Sequence, residues 1–311
     1  MSLSASHSQE AQTLSGILLV VIATLGFSAK AILVKLGYRY GVDAITLLVL
    51  RMIFSLPFFL LVAAVNQSKN DHRLEPKDWG AVVVLGFFGY YLASLLDFYG
   101  LQYVTVGLER LILYLYPTIA VILSALFLHR RATRAELLAI GLSYLGIAIA
   151  THGAIGLRAN GYLGVALIFG SAVSYAVYIV GSERTIHRIG AIRCTAYALT
   201  ISCLLVIGQY GFSHRWQLPK VPMEVYALSL GMAIFSTVVP AFLMSAGIKR
   251  IGANKTVIIG GIGPIATIAM GVVVLGEEIG VAEVIGTALV LTGVVNMGRK
   301  HKVIEQASAQ T

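Results

Sequence analysis

Charge is what this chain of 311 residues has little of: 12% of its residues are Asp, Glu, Lys or Arg, against 58% that are hydrophobic. A soluble domain carries roughly a quarter charged residues, so a globule solvated on all sides is excluded. Cysteine is equally scarce. Cys194 and Cys203 are the two present, nine residues apart in one apolar run. They give neither a disulfide framework nor metal-ligand spacing, and read as buried free thiols. The seven histidines (His7, His72, His129, His152, His187, His214 and His301) all fall in the tails or near the ends of apolar runs. Zinc spacing, a phosphate loop and a nucleophile elbow are missing, so no catalytic residues, metal or cofactor are expected. The alternation of a membrane barrel is missing too. The first 15 residues hold no Lys or Arg, unlike the charged start of a secretory signal.

What is present is a series of long apolar runs, with a mean hydropathy of +0.84. Runs of about 20 residues suffice to cross a hydrocarbon core as helices, and in lipid the backbone must bond to itself. Ten spans are expected, at approximately 16–36, 44–65, 79–99, 104–128, 135–151, 161–181, 192–212, 225–247, 253–275 and 281–297. The fifth and tenth are short, and the gap between the third and fourth is tight. The fold class is therefore an all-α integral membrane protein.

The sequence also repeats itself. Sliding residues 100–150 forward by 147 places Gly100 on Gly247, Leu115 on Ile262, Pro117 on Pro264, Glu136 on Glu283 and Gly146 on Gly293. The first spans of the two halves align less clearly, Gly16 falling on Gly161 at a shift of 145. This divides the chain into a tail (1–15), a first five-helix repeat (16–151), a linker (152–160), a second five-helix repeat (161–298) and a second tail (299–311). A repeat with a helix breaker at matching positions points to a transporter core.

The net charge of +9 marks orientation. Basic residues of the even connections and the C-terminal tail (Lys69, Arg73, Lys77, Arg130, Arg131, Arg134, Arg184, Arg188, Arg193, Lys249, Arg250, Lys255, Arg299, Lys300 and Lys302) number 15 on one side. Lys35, Arg39, Arg158, Arg215 and Lys220 make five on the other. The positive-inside rule places the richer side, with both termini, in the cytoplasm. A nucleic-acid partner is not expected. Because five is odd, the two halves insert with opposite orientations, as inverted repeats with a site near the midplane.

With ten spans, paired Pro117 and Pro264, and the segment Val274-Leu-Gly-Glu-Glu-Ile279 followed by Glu283, Gly286 and Gly293, the chain resembles the EamA-type branch of the drug/metabolite transporter superfamily. The resemblance spans roughly 14–150 and 160–298. It departs after the fourth helix, where His129-Arg130-Arg131 stands in place of the Gly-Glu pair that the second half keeps as Gly276-Glu277. Glu277 reads as a loop or helix-end residue capping its own helix. The resemblance implies export of amino acids or related metabolites across the inner membrane of a bacterium.

An ionisable residue inside the membrane is the best functional lead. Lys30, Arg51, Asp97, Glu109 and Arg110 all fall in the outer half of the first repeat, and the shift of 147 turns Asp97, Glu109 and Arg110 into Met244, Thr256 and Val257. Asp97 and Glu109 are candidates for a coupling proton. Arg51, with Ser55 one turn on, is the candidate for a substrate anion, because its planar fork suits a carboxylate or phosphate. The bland alternative is ion pairing, or snorkelling to the headgroups. Tyr90, Ser94 and Asp97 share one helix face. Ser171, Ser174, Tyr175 and Tyr178 make a second stripe, and Tyr114 shares the face of Pro117. Tyr90, Ser94, Tyr114, Tyr175 and Tyr178 are thus candidate substrate contacts, against plain helix packing with hydroxyls bonded to carbonyls. Pro117, Gly263 and Pro264 are candidate hinges, because proline removes a helix bond and crowds the preceding turn.

The leading expectation is a secondary carrier working by alternating access on a small-molecule substrate, embedded in membrane lipid as a monomer or homodimer. An antiporter of phosphorylated or nucleotide sugars would want basic residues from both halves. A membrane enzyme or lipid-modifying protein would want a reactive cluster at headgroup depth.

Overall fold

The computed structural model describes residues 2–68, 74–127, 133–155, 160–217 and 220–308. Lys69, His72, Arg73, His129, Arg130, Arg131 and Arg158 lie outside the described residues. Among the described residues there is no strand. The helices are α1 (Ser2–Tyr38), α2 (Ala44–Ser68), α3 (Pro76–Leu101), α4 (Val106–Phe127), α5 (Arg134–Ile155), α6 (Gly161–Ile189), α7 (Ala191–His214), α8 (Met223–Ile251), α9 (Ala253–Gly260 continued by Ile262–Leu275) and α10 (Val281–Ser308). Seven of them (α1–α4 and α6–α8) are long and apolar enough to cross a bilayer, and α5, α9 and α10 hold the shorter apolar stretches Glu136–His152, Ile262–Leu275 and Val281–Val295. Large apolar side chains also cover the outside, for example Phe127 at 74% exposure and Val273 at 83%. In water such a surface would drive association; against lipid it is the solvated face.

The shift of 147 reaches further than the residue identities. It carries the start of α2 onto α7 (Ala44, Ala191), α3 onto α8 (Pro76, Met223), α4 onto α9 (Val106, Ala253) and α5 onto α10 (Arg134, Val281). It also carries irregularities onto each other. A π turn at Phe87–Leu92 in α3 matches one at Ile234–Val238 in α8. The break in α4 at Tyr114 and Leu115 matches the break in α9 at Gly261. Only α8 has a proline beside its π turn, Pro240, so the shared turn is not a proline effect. Wider turns of this kind are frequent at functional sites.

Packing follows the same exchange of halves. α1 lies on α8 and on the second piece of α9, as α6 lies on α3 and on the second piece of α4; α2 packs on α7 and α5 on α10. Between α5 and α10, a Cβ on Gly146 would stand 2.6 Å from the Gly286 carbonyl, and one on Gly293 would stand 2.8 Å from that of Ala139. Those two contacts interconvert under the shift, and glycine is required because backbone meets backbone. For the first helices the contacts set a different register. Gly247 abuts Gly16 and Val20, while Gly100 abuts Gly164 and Ile168. Gly16 therefore corresponds to Gly164, a shift of 148, which corrects the alignment of Gly16 with Gly161. The two registers differ by three residues, which on a helix is a rise of about 4.5 Å and a rotation about 60° short of a full turn, so the sequence match had slid the helix along its axis by almost one turn.

Candidate functional site

The charged residues of the first half converge. Lys30 of α1 forms an ion pair with Asp97 Oδ2 of α3, and its Nζ lies 3.3 Å from Glu109 Oε1 of α4. Both carboxylates are buried, and Asp97 Oδ1 and Glu109 Oε2 have no hydrogen-bond partner among the described residues. Glu109 sits in the first turn of α4, where Thr105 caps the helix by accepting from Leu108 N at 3.2 Å. The positive end of the helix dipole there favours an acid.

Arg51 of α2 is 5% exposed. It donates to Ser94 Oγ at 3.0 Å, its guanidinium carbon lies 4.8 Å over the Phe98 ring, and its Nε has no hydrogen-bond partner among the described residues. Ser55 on the same face is fully buried with its hydroxyl unpartnered among the described residues, and under the shift it corresponds to Ser202 on α7, which is in the same condition. Arg110 of α4 points elsewhere, donating to Ser28 Oγ of α1 at 3.2 Å. Because Lys30 takes both carboxylates, neither arginine has an ion-pair partner among the described residues.

The polar stripes separate into two kinds. On α6, Ser171 and Ser174 donate to the Ala93 and Phe88 carbonyls of α3 at 2.7 and 2.6 Å, which is packing at the π turn. The tyrosines instead form a ladder. Tyr90 donates to Tyr178 Oη at 3.1 Å, with ring centroids 5.0 Å apart. Tyr178 stacks on Tyr175 at 5.6 Å, Tyr175 meets Tyr116 edge-on at 5.1 Å, and Tyr116 meets Tyr114 at 6.5 Å. On α3 the stripe Tyr90, Ser94 and Asp97 thus reaches three partners, Tyr178, Arg51 and Lys30.

The candidate hinges lie just past real breaks. Pro117 and Pro264 fall in the first turn of the resumed helices, Tyr116–Phe127 and Ile262–Met270. A proline is tolerated in the first turn of a helix, and because it has no N–H it cannot bond back to the carbonyl four residues earlier across the break. Gly263 is buried, and its carbonyl accepts from Ser28 Oγ at 3.1 Å. Ser28 thereby joins α1, the α9 break and Arg110.

The loop acid Glu277 also differs from expectation. Glu277 accepts from Val106 N at 3.0 Å and Glu283 accepts from Thr105 Oγ1 at 3.2 Å. Glu277 caps α4, in the other half, rather than its own helix. Tyr116 and Ser28 belong to the assembled groups although the sequence did not single them out, whereas Lys30 was among the five intramembrane charges but was given no role of its own. Tyr116 had a local signal, a tyrosine beside Pro117 at a matched break.

Comparison with known proteins agrees with this architecture. The model of the EamA-like transporter family matches residues 14–151 and 162–299, one match per repeat. An uncharacterised transporter, YcbK, of Bacillus subtilis (strain 168) is 31% identical over 288 residues, covering 90% of this chain and 92% of its own. A second from that organism, YyaM, is 28% identical, covering 83% of this chain and 81% of its own. A solved crystal structure, 19% identical, superposes with a TM-score of 0.63 over 94% of this chain and 99% of the other, and shares the fold. The two-repeat helical architecture, the apolar helices and the doubled family match agree: this chain is an integral multi-pass membrane protein and belongs to the EamA-like transporter family.

Proposed function

We propose that this protein is a secondary carrier that exports small metabolites, amino acids among them, by alternating access between two inverted halves of five crossing helices. It would lie in the inner membrane with both termini in the cytoplasm. The observation that carries the reading is the buried group Lys30, Asp97 and Glu109, from α1, α3 and α4. One ammonium serves two carboxylates, and each acid keeps an oxygen without a donor. A buried acceptor left unpaired costs about 1–3 kcal/mol, more when charged. A proton on the pair would supply that donor, which is how a group of this kind can carry a coupling ion.

Contacts between helix ends support the grouping of the connections into two sides. Arg250 Nη1 donates to Ser15 Oγ at 3.0 Å, and Arg188 reaches Asp78 Oδ1 at 3.0 Å. Arg39 Nη2 donates to the Leu275 carbonyl at 3.0 Å, and Glu277 meets Val106. Each contact joins ends that the count of basic residues assigns to the same side. The first two belong to the basic side and the last two to the other.

The test begins with metabolite profiling, inside and outside the cell, of cells overproducing the protein against cells producing Glu109→Gln. The metabolite it identifies is then followed in proteoliposomes under an imposed pH gradient. Gradient-driven flux is expected from the wild type and is lost in Asp97→Asn or Glu109→Gln. If both variants keep it, neither acid couples transport.

A further inference from the structure

Arg110 offers five N–H donors and, among the described residues, makes one hydrogen bond, to a neutral hydroxyl. It is only partly covered. Its neighbours come from three helices. Glu109, Tyr114 and Tyr116 of α4 lie within electrostatic reach, Ser28 belongs to α1, and Gly263 to α9. A Cβ on Gly263 would stand 3.7 Å from Arg110 Nε and 3.7 Å from Ser28 Oγ. Arg110 therefore sits where the charged group, the end of the tyrosine ladder and the break in α9 meet.

We infer that Arg110 binds the carboxylate of an organic substrate, and that Ser28 passes its occupancy to the break in α9. The inference rests on the carrier reading and names the ligand's chemistry. The guanidinium fork matches a carboxylate. With both acids ionised, Lys30, Arg51 and Arg110 outnumber Asp97 and Glu109 by one, so a monoanion neutralises the group while a phosphate dianion overshoots it. Tyr114 and Tyr116 start beside the guanidinium and give the apolar part of the ligand a surface. The Ser28 hydroxyl accepts from Arg110 and has one proton to give, to the Thr24 carbonyl at 2.8 Å or the Gly263 carbonyl at 3.1 Å. A ligand carboxylate outcompetes a hydroxyl for Arg110, since it brings a full opposite charge and can take two of the guanidinium N–H groups at once. Drawing Arg110 away weakens Ser28 as a donor to Gly263, the residue before Pro264. Binding thus loosens the point at which α9 is already broken.

The test uses the purified full-length protein and 4-fluorobenzoate as probe, with binding read from fluorine NMR line broadening. Neutral 4-fluorobenzyl alcohol and inorganic phosphate are the comparisons. The wild type should broaden 4-fluorobenzoate alone. Arg110→Gln should weaken binding about tenfold or more, and Arg110→Lys by less, because a charged hydrogen bond is lost in the first and partly kept in the second. Ser28→Ala should bind at least as tightly as the wild type, but lose the ligand-induced rise in hydrogen exchange across α9 that the wild type shows. Equal binding by Arg110→Gln, no binding by the wild type, or equal binding of the alcohol overturns the site; an unchanged exchange response in Ser28→Ala overturns the relay. Should Arg110→Gln misfold by size-exclusion chromatography, Arg110→Lys and the alcohol decide. Arg110-dependent binding without flux in proteoliposomes would sink the carrier reading and keep the site. Proton-driven flux with no Arg110 dependence of binding would do the reverse.

Discussion

Lys30 holds the buried charge of the first half together, since among the described residues it alone contacts both carboxylates. Removing one partner from a buried ion group costs about 3–5 kcal/mol, because the remaining charge stays unpaired. Lys30→Met should therefore lower the thermal unfolding temperature in detergent well below that of Lys30→Met combined with Asp97→Asn and Glu109→Gln. Equal temperatures would mean that the three residues act independently. The ladder makes a milder prediction. Tyr90→Phe removes one hydrogen bond to Tyr178 while keeping the ring contact, at a cost of about 0.5–1.5 kcal/mol. The charged residues were legible in the sequence because charge inside an apolar run is expensive and therefore rare. Their pairing was not, since depth along a helix leaves its rotation open. Tyr116 was missed because a tyrosine in an apolar run also reads as ordinary packing. Glu277 was placed at a helix end, but which helix it caps depends on a neighbour 171 positions away in the chain.

At the scale of the helix, the informative unit is the interrupted one. α4 and α9 both stop and resume just before a proline, and α3 and α8 both widen into a π turn at matched positions. Pro264→Ala gives residue 264 an N–H that can reach back toward Gly260, so α9 should become more continuous. Hydrogen exchange from 260 to 267 should slow while transport turnover falls; unchanged turnover with slower exchange would make the break a static kink. Gly146→Leu tests a different element, forcing a side chain against the Gly286 carbonyl. Overpacking of this sort costs typically 1–3 kcal/mol, and the α5–α10 pair should separate in crosslinking between its two helices. The prolines were plain in the sequence. The π turns were not, because no residue type marks them: Phe-Phe-Gly-Tyr-Tyr-Leu in α3 and Ile-Phe-Ser-Thr-Val in α8 share one residue type, Phe. The register of α1 on α6 was misjudged for a related reason, since it is set by which small residues meet α8 and α3.

At the scale of the molecule, geometry is shared between the halves and chemistry is not. Under the register of 148, Lys30 corresponds to Tyr178, so a cation stands in one half where the ladder stands in the other. The two buried thiols make the orientation testable, because Cys194→Ala and Cys203→Ala remove little volume and leave a background without cysteine. In that background, Lys249→Cys should react with a membrane-impermeant maleimide only from the cytoplasmic side, and Gln217→Cys only from outside. The opposite pattern would reverse the orientation, and labelling of both from one side would overturn the count of crossings between them.

The interlocking of the halves bears on how the chain is made. α1 rests on α8 and α9, and α6 on α3 and α4, so the first repeat leaves the ribosome with its main seams facing lipid. Its small-residue face at Gly16 and Val20 waits until Gly247 has been synthesised. The segment that was duplicated is therefore not a segment that matures alone. Synthesis halted after the fifth helix should leave an intermediate open to quality-control proteases, and supplying the missing half as a separate polypeptide should rescue it.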